Sequence, residues 1–293
     1  MSNCLSVRES FTVDQIKSSD KWDSYFSVYE KFFHRFKNDP VCLLEIGIQN
    51  GGSLEAWGKY FETAKLIVGC DINLNCSRLN YGKSNTSVVI GDANDKEVFD
   101  SLVSLLKNER FNIIIDDGSH TSKDIINCFC KYFSVLDDNG VYVVEDLHCS
   151  YWGGFGGGIY HPYSSIQFFK KIIDIINFEH WGNAQSRMDL VRPFLDYYGV
   201  SGFDGLEMIK SVSFFNSMCI IEKRKASECV LGQRVISGED EVVVVGHRHL
   251  NGSLLVAPSQ VGNVWSDASM ESMNLISVAH NEIDRLNKLI SDK

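Results

Sequence analysis

The sequence predicts an α/β fold with a mostly parallel sheet of seven strands, covered by helices on both faces. Three observations predict it. Five short apolar runs recur between residues 41 and 146, amphipathic stretches separate them, and two further runs near residue 215 are typical of an antiparallel hairpin. Strands that are apolar throughout and alternate with helices are characteristic of a parallel sheet buried on both faces.

The composition indicates a globular protein with a large core. Of the 293 residues, 44% are hydrophobic, so one elaborated domain or two small ones are expected and global disorder is excluded. The net charge is −10 and no basic patch offsets it, which disfavours nucleic acid and anionic membranes as partners. No window approaches the roughly 18 apolar residues of a membrane span, and residues 1–8 lack a secretory signal pattern. We expect a cytoplasmic protein.

The cysteine pattern agrees with a reducing compartment. The nine cysteines are odd in number, form no CxxC pair and lie mostly within apolar runs. Buried free thiols fit this pattern better than disulfides or a zinc site.

Residues 1–39 are predicted to form an N-terminal helical cap, because aromatic side chains recur from Trp22 to Phe36 at three- and four-residue steps. Pro40 breaks this pattern, and the domain at 40–224 follows. Its parallel strands are predicted at 41–47, 66–71, 87–92, 111–117 and 140–146, with helices near 53–62, 95–108 and 121–136.

The chain changes character after residue 146. A glycine-rich loop at 152–158 precedes a helix at 164–181, and the hairpin is predicted at 211–214 and 218–222. Residues 225–268 form an extension of uncertain structure, in which 241–246 is a candidate strand. Residues 269–293 are predicted to form an amphipathic helix with heptad-spaced apolar residues. Docking on its own chain and pairing with another subunit both remain open for this helix.

The first motif that indicates chemistry is the glycine-rich turn at 45–53, between the first strand and the first helix of the domain. It is neither GxGxxG nor a P-loop, so a pyrophosphate or triphosphate ligand is disfavoured. Asp71 ends the second strand, where it can accept from ribose hydroxyls, and Asp92 ends the third, within reach of an adenine amino group. A nucleoside that has no phosphate groups but carries a positive charge fits this set. S-adenosylmethionine, which is a sulfonium, is such a ligand. The alternative is ordinary turns with solvated acids. The predicted cofactor-binding residues are Glu45, Gly47, Gly51, Ser53, Asp71, Asp92 and Asp116.

The second motif is a pair of acidic strand ends. An Asp-Asp-Gly-Ser-His run at 116–120 ends the fourth strand, and a Glu-Asp-Leu-His run at 145–148 ends the fifth. If these strands are neighbours, four carboxylates and two imidazoles converge, and such crowding requires a compensating positive charge. Mg²⁺, a hard ion that prefers oxygen ligands, is the favoured answer. The alternative is that some of these acids, Asp116 first, cap helices or face solvent.

The same residues suggest a reaction. A dication lowers the pKa of a bound hydroxyl, and a nearby neutral imidazole can take its proton. His120 is the candidate base and His148 the alternative. The aromatic and glycine-rich segment at 151–160 is either a mobile lid over a sugar ring or simply a flexible connection.

These motifs resemble the macrocin and mycinamicin sugar O-methyltransferases, which are Rossmann-like class I methyltransferases that use S-adenosylmethionine and Mg²⁺. The resemblance covers roughly residues 40–224. It implies that Asp117, Glu145 and Asp146 hold the metal, that His120 is the base, and that the acceptor is a sugar hydroxyl of a glycan or glycosylated metabolite. We favour a bacterial surface glycan, along which the C-terminal helix would assemble a homo-oligomer. A cephalosporin-hydroxylase-like enzyme acting on a non-sugar small molecule shares the acidic layout and is the alternative.

Overall fold

A computed structural model describes residues 5–267 and Ile283, and it contains the seven-stranded sheet. The strand order is β3-β2-β1-β4-β5-β7-β6. The first five strands pair in parallel, and β7 lies antiparallel to both β5 and β6. The predicted fold class is therefore confirmed. The strands are β1 Cys42–Ile46, β2 Leu66–Asp71, β3 Thr86–Ile90, β4 Phe111–Asp116, β5 Leu136–Val144, β6 Ile209–Phe215 and β7 Met218–Lys223.

The register of the central strands brings the functional motifs side by side. In β4 and β5, Asp116 lies beside Val144, and the amide of Glu145 donates to the Asp116 carbonyl oxygen at 2.9 Å. The amide of Asp117 donates to the Ile46 carbonyl oxygen at 2.8 Å. The predicted neighbourhood of the two acidic strand ends is thus confirmed.

Helices cover both faces of the sheet at the predicted places. The helices α3 Gly52–Tyr60, α4 Lys96–Leu105 and α5 Ser122–Tyr132 connect successive parallel strands. The next helix, α6 Ser165–Ile176, ends five residues before the predicted boundary at 181, and α7 Arg187–Tyr198 follows in the stretch without a clear pattern. No helix in the described part of the chain is long and apolar enough to cross a membrane.

The N-terminal helix prediction is wrong in one respect: the helix is interrupted. The structure has α1 Val7–Thr12 and α2 Asp23–Phe33, with residues 13–22 irregular between them. Tertiary hydrogen bonds replace the helical ones in this segment. The amides of Ile16 and Lys17 donate to the Glu55 carboxylate, and the Gly52 amide donates to the Ser18 carbonyl oxygen.

The described chain divides into two compact units. Within the described residues, the first unit comprises the chain up to Ile176 together with Phe194–Cys229 and holds the whole sheet, while the second comprises Asn177–Pro193 and the chain from Val230 onward. The candidate strand at 241–246 is wrong: the run is irregular, and the side chains of Val242 and Val243 are 88% and 92% exposed. Valine favours strands only where a neighbouring strand and a buried face receive it. Apart from Ile283, the helix predicted at 269–293 lies outside the described residues.

The described cysteines are free thiols. Seven of them are buried and Cys229 is partly exposed, while Cys4 lies outside the described residues.

Candidate active site

A cavity of about 570 Å³ opens at the carboxyl ends of the parallel strands. Residues 18–22, from the irregular N-terminal segment, form one of its walls. Two of the sequence-predicted residues, Glu45 and Gly51, do not border this cavity. The sequence-predicted residues that border it are Gly47, Ser53, Asp71, Asp92, Asp116, Asp117, His120, Glu145, Asp146 and His148.

The glycine-rich turn is required by a close backbone approach. Gly47 has φ +83°, and a Cβ there would lie 2.0 Å from the carbonyl oxygen of Asp117. Any other residue at this position would push the first strand end away from the Asp-Asp-Gly-Ser-His run. At Gly51, φ is +74° and a Cβ would lie 2.2 Å from the Tyr81 hydroxyl.

Asp71 and Asp92 border the cavity and also shape its wall. The Asp71 carboxylate accepts from the amides of Ile48 and Gln49, each at 2.9 Å, and thereby holds the glycine-rich turn. Asp92 accepts from the Asn94 amide at 2.8 Å. Their predicted contacts with ribose and adenine stay predictions.

The main residue that the sequence did not reveal is Lys21. Its side chain is only 3% exposed, and its Nζ lies 2.7 Å from Asp117, 2.7 Å from Glu145 and 3.2 Å from Glu45. Burial opposes the charge, but the three carboxylates outweigh it and raise the pKa of Lys21 well above its usual value. Part of the positive charge that the acidic strand ends require therefore comes from the chain itself. We call Lys21, Glu45, Asp117 and Glu145 the inner cluster.

Aromatic side chains close the inner cluster from behind. The Tyr29 hydroxyl donates to Glu145, and the Trp57 indole donates to Glu45 at 3.2 Å. Burial and the charge of Asp117 raise the pKa of Glu145 well above its usual value, and burial raises that of Glu45.

A second group, the outer cluster of Asp117, His120 and Asp146, faces the cavity. His120 Nε2 lies 3.9 Å from Asp117 Oδ1 and 3.7 Å from Asp146 Oδ2. All three side chains are between 21% and 25% exposed, and their ligand atoms lie within 4.8 Å of one another. The Asp146 carboxylate is oriented by the Tyr25 hydroxyl at 2.7 Å and the Trp22 indole at 3.1 Å.

The backbone is strained at this group. His120 and Asp146 have φ of 57° and 49°, and Gln49 in the glycine-rich turn has φ 47°. Non-glycine residues rarely adopt this left-handed conformation, and it tends to persist at functional sites. These three residues all border the cavity.

His148 and Asp116 also border the cavity but lie outside the two clusters. His148 Nδ1 hydrogen-bonds to the Ser217 hydroxyl, from the turn between β6 and β7, and its ring contacts Trp152 at a centroid distance of 4.8 Å. Asp116 is 3% exposed, and burial raises its pKa to about 7. Thr121 caps α5 and Asp116 is buried, so for Asp116 the alternative of a helix cap or a solvated acid is wrong.

The segment at 151–160 lies beside the cavity without lining it. Trp152 is 52% exposed and Tyr160 is 91% exposed. Gly157 packs so closely on the preceding turn that a Cβ would lie 2.1 Å from the Ser150 carbonyl oxygen. Movement of this segment as a lid stays a prediction.

Sequence comparison finds relatives among sugar-modifying enzymes, although no family model matches the chain. The 8-demethyl-8-α-L-rhamnosyl tetracenomycin-C 2′-O-methyltransferase of Streptomyces olivaceus is 31% identical over 179 residues, which cover 58% of this chain and 46% of that enzyme. The demethylmacrocin O-methyltransferase of Streptomyces fradiae is 35% identical over 147 residues, covering 47% and 36%. The chain thus spans less than half the length of these relatives.

Structural comparison agrees. The MycE methyltransferase of the mycinamycin biosynthetic pathway, solved in complex with Mg, SAH and mycinamycin VI, matches with a TM-score of 0.59 at 24% identity. The match covers 78% of this chain and 57% of that one, and it confirms the methyltransferase fold. The resemblance predicted from the motifs is therefore confirmed: the chain is a homologue of the macrocin and mycinamicin group of sugar O-methyltransferases.

Proposed function

We propose that the protein is an O-methyltransferase of the EC 2.1.1 class, which transfers a methyl group from S-adenosylmethionine to a sugar hydroxyl with Mg²⁺ at the acceptor site. The observation that carries the proposal is the outer cluster, where two carboxylates and an imidazole face one cavity in a homologue of sugar O-methyltransferases.

The cavity fits the methyl donor. Its volume of about 570 Å³ is typical of a small-molecule site, and Gly47, Asp71, Asp92 and Asp116 border it. We assign these four residues to donor binding. Ser53 also borders the cavity, while Glu45 and Gly51 belong to the same glycine-rich turn and support these four residues without bordering the cavity.

The oxygen ligands fit Mg²⁺. Asp117 and Asp146 each present a carboxylate oxygen to the cavity, and Glu145 lies next to them. Mg²⁺ commonly binds through one or two carboxylates and completes its shell with water or substrate oxygens. We assign Asp117, Glu145 and Asp146 to the metal site. The bound ion would lower the pKa of the acceptor hydroxyl.

His120 is the proposed base. Its Nε2 lies 3.9 Å from Asp117 and 3.7 Å from Asp146, so the imidazole stands next to the proposed metal ligands, where the acceptor hydroxyl would bind. In the reaction the acceptor oxygen forms a bond to the methyl carbon and the carbon–sulfur bond breaks. The donor leaves as S-adenosylhomocysteine, and the hydroxyl proton passes to His120. His148 is the alternative base.

The acceptor is proposed to be a sugar of a bacterial surface polysaccharide, modified in the cytoplasm during its biosynthesis. The support is indirect: several relatives are named for a sugar attached to a larger molecule. We also propose that residues 269–293 join copies of the chain into a homo-oligomer.

The decisive experiment is incubation with labelled S-adenosylmethionine and a panel of glycans and glycosides, with and without EDTA. We expect label on a sugar hydroxyl, and loss of transfer with EDTA that Mg²⁺ restores. Transfer that is indifferent to chelator contradicts the metal assignment. Iron-dependent oxidation without a methyl donor would instead support the hydroxylase-like alternative.

A further inference from the structure

Lys21 is the one lysine or arginine in the described lining of the cavity, and the proposed chemistry does not use it. Its ammonium group is buried between Glu45 and Glu145, whose side chains are 0% and 2% exposed. Among the described residues it is the one lysine or arginine that forms an ion pair with either of them. A lysine in this position is a fixed cation within the acidic site.

Asp117 belongs to both clusters. One of its oxygens, Oδ2, accepts from Lys21 at 2.7 Å, while Oδ1 faces His120 on the cavity side. The ammonium group and a divalent ion cannot occupy the same carboxylate oxygens, and they repel each other at short range. Lys21 contacts Oδ2 of Asp117 and Oε1 of Glu145, and it therefore leaves Asp117 Oδ1, Glu145 Oε2 and the Asp146 carboxylate for an ion in the cavity.

The backbone around Lys21 is fixed independently of its charge. Gly52 donates to the Ser18 carbonyl oxygen at 3.1 Å, and a Cβ on Gly52 would lie 2.4 Å from that oxygen. The Glu55 carboxylate accepts from the amides of Ile16 and Lys17 at 2.9 and 3.0 Å. The N-terminal segment thus delivers the lysine to the inner cluster.

We propose that Lys21 is a positioning residue of the metal site. It neutralises the inner cluster, confines a divalent ion to the oxygens of Asp117, Glu145 and Asp146 that it does not itself contact, and limits the site to one ion. The inference rests on the proposed function, because it requires that a divalent ion binds in this cavity.

The test is a count of bound Mn²⁺, which takes the same oxygen ligands as Mg²⁺, by electron paramagnetic resonance of the free ion. The acceptor is left out. The proteins are the wild type, Lys21→Met and the control Lys17→Met, whose lysine lies in the same segment outside the cavity lining. We expect one ion in the wild type and in the control. Lys21→Met should bind Mn²⁺ on the order of tenfold more tightly, or take a second ion, because the repelling charge is gone. Equal or weaker binding at unchanged stoichiometry overturns the inference.

A folding defect in Lys21→Met does not leave the question open, because the variant leaves buried carboxylates without a cation. Mn²⁺ should then raise the melting temperature of Lys21→Met more than that of the wild type, and an equal or smaller rise counts against the proposal. If Lys21→Met does not fold, Lys21→Met with Glu45→Gln is compared with Glu45→Gln alone, and the same tightening is expected.

The two proposals fail differently. Wild-type protein that binds no Mn²⁺ contradicts the proposed metal site and the role of Lys21 together. Wild-type protein that binds one Mn²⁺ as tightly as Lys21→Met overturns only the role of Lys21.

Discussion

Substitution of His120 should change the turnover rate without changing the affinity for the methyl donor. It faces the cavity between two carboxylates, and its loss removes proton transfer without removing the strand ends that we assign to the donor. We expect His120→Ala to lower turnover on the order of 10²–10⁴-fold, with the affinity for S-adenosylhomocysteine unchanged in calorimetry.

His161→Ala is the matched control for this substitution, because His161 lies outside the cavity lining. It should turn over at the wild-type rate. A larger loss in His148→Ala than in His120→Ala would exchange the roles of the two histidines, and an equal loss of rate and donor affinity in His120→Ala would make that residue structural.

Cys70 gives a pH-dependent prediction at the donor end of the cavity. Burial, together with the charges of Asp71 and Asp92, raises the pKa of its thiol to about 12. Only the thiolate reacts with iodoacetamide, so a fraction on the order of 10⁻⁴ is reactive at pH 8. We expect alkylation of Cys70 to be very slow at pH 8 and to rise about tenfold per pH unit, as followed by peptide mass spectrometry.

Two comparisons make the Cys70 measurement interpretable. Cys229 is partly exposed and should react faster at every pH, while protein unfolded in urea should lose the difference. Labelling of folded Cys70 at the rate of Cys229 would contradict the burial on which the prediction depends.

At the scale of elements, the turn after β1 carries the sharpest stability prediction. Gly47 and Gly82 both have positive φ, but a Cβ on Gly47 would meet the Asp117 backbone at 2.0 Å, whereas a Cβ on Gly82 would meet nothing within 4 Å. Gly82→Ala should cost about 1 kcal/mol from backbone strain alone. Gly47→Ala should cost about 2 kcal/mol more than Gly82→Ala and weaken donor binding, because backbone atoms of the turn or of Asp117 must move.

Urea unfolding of both variants, together with donor titration, tests this difference. Similar free energies of unfolding for Gly47→Ala and Gly82→Ala would show that the approach of the turn to Asp117 is not what holds this edge of the sheet.

The strands were predictable and the N-terminal segment was not, for a physical reason. The central strands β1 and β4 are rich in apolar residues because both of their faces are buried, so their signal is local. Residues 13–22 look compatible with a helix, but distant hydrogen bonds to Glu55 and Gly52 decide their conformation.

Lys21 shows the same limit within the site. Its partners Glu45, Asp117 and Glu145 are 24, 96 and 124 residues away in sequence. The crowding of acids at two strand ends indicated that a cation was required, but nothing in the neighbourhood of Lys21 marked it as that cation. The Asp-Asp-Gly-Ser-His and Glu-Asp motifs were recognisable because each is contiguous.

At the scale of the whole molecule, the proposed oligomer gives a direct measurement. Ile276, Ile283 and Ile290 are spaced by seven residues, and Ile283 is 54% exposed. We expect deletion of residues 269–293 to reduce the molecular mass in solution to that of a single chain, as measured by light scattering, because the shared apolar stripe is removed.

Ile283→Lys should reproduce this loss in the full-length chain, while Lys288→Ala, off the stripe, should not. An oligomer that survives the deletion refutes the role of this segment, as does a full-length protein that is already monomeric.

The turn between β6 and β7 is synthesised after all the predicted site residues, and it contributes contacts that the site needs. Ser217 bonds His148 and the Tyr25 hydroxyl, and its carbonyl oxygen accepts from the Leu147 amide. A nascent chain that has emerged only as far as β6 already carries every predicted donor, metal and base residue, yet it lacks the Ser217 hydroxyl that hydrogen-bonds to His148. Formation of the complete candidate active site therefore depends on synthesis of the chain as far as β7. A nascent chain on a ribosome stalled before that point contains the site residues without their final arrangement.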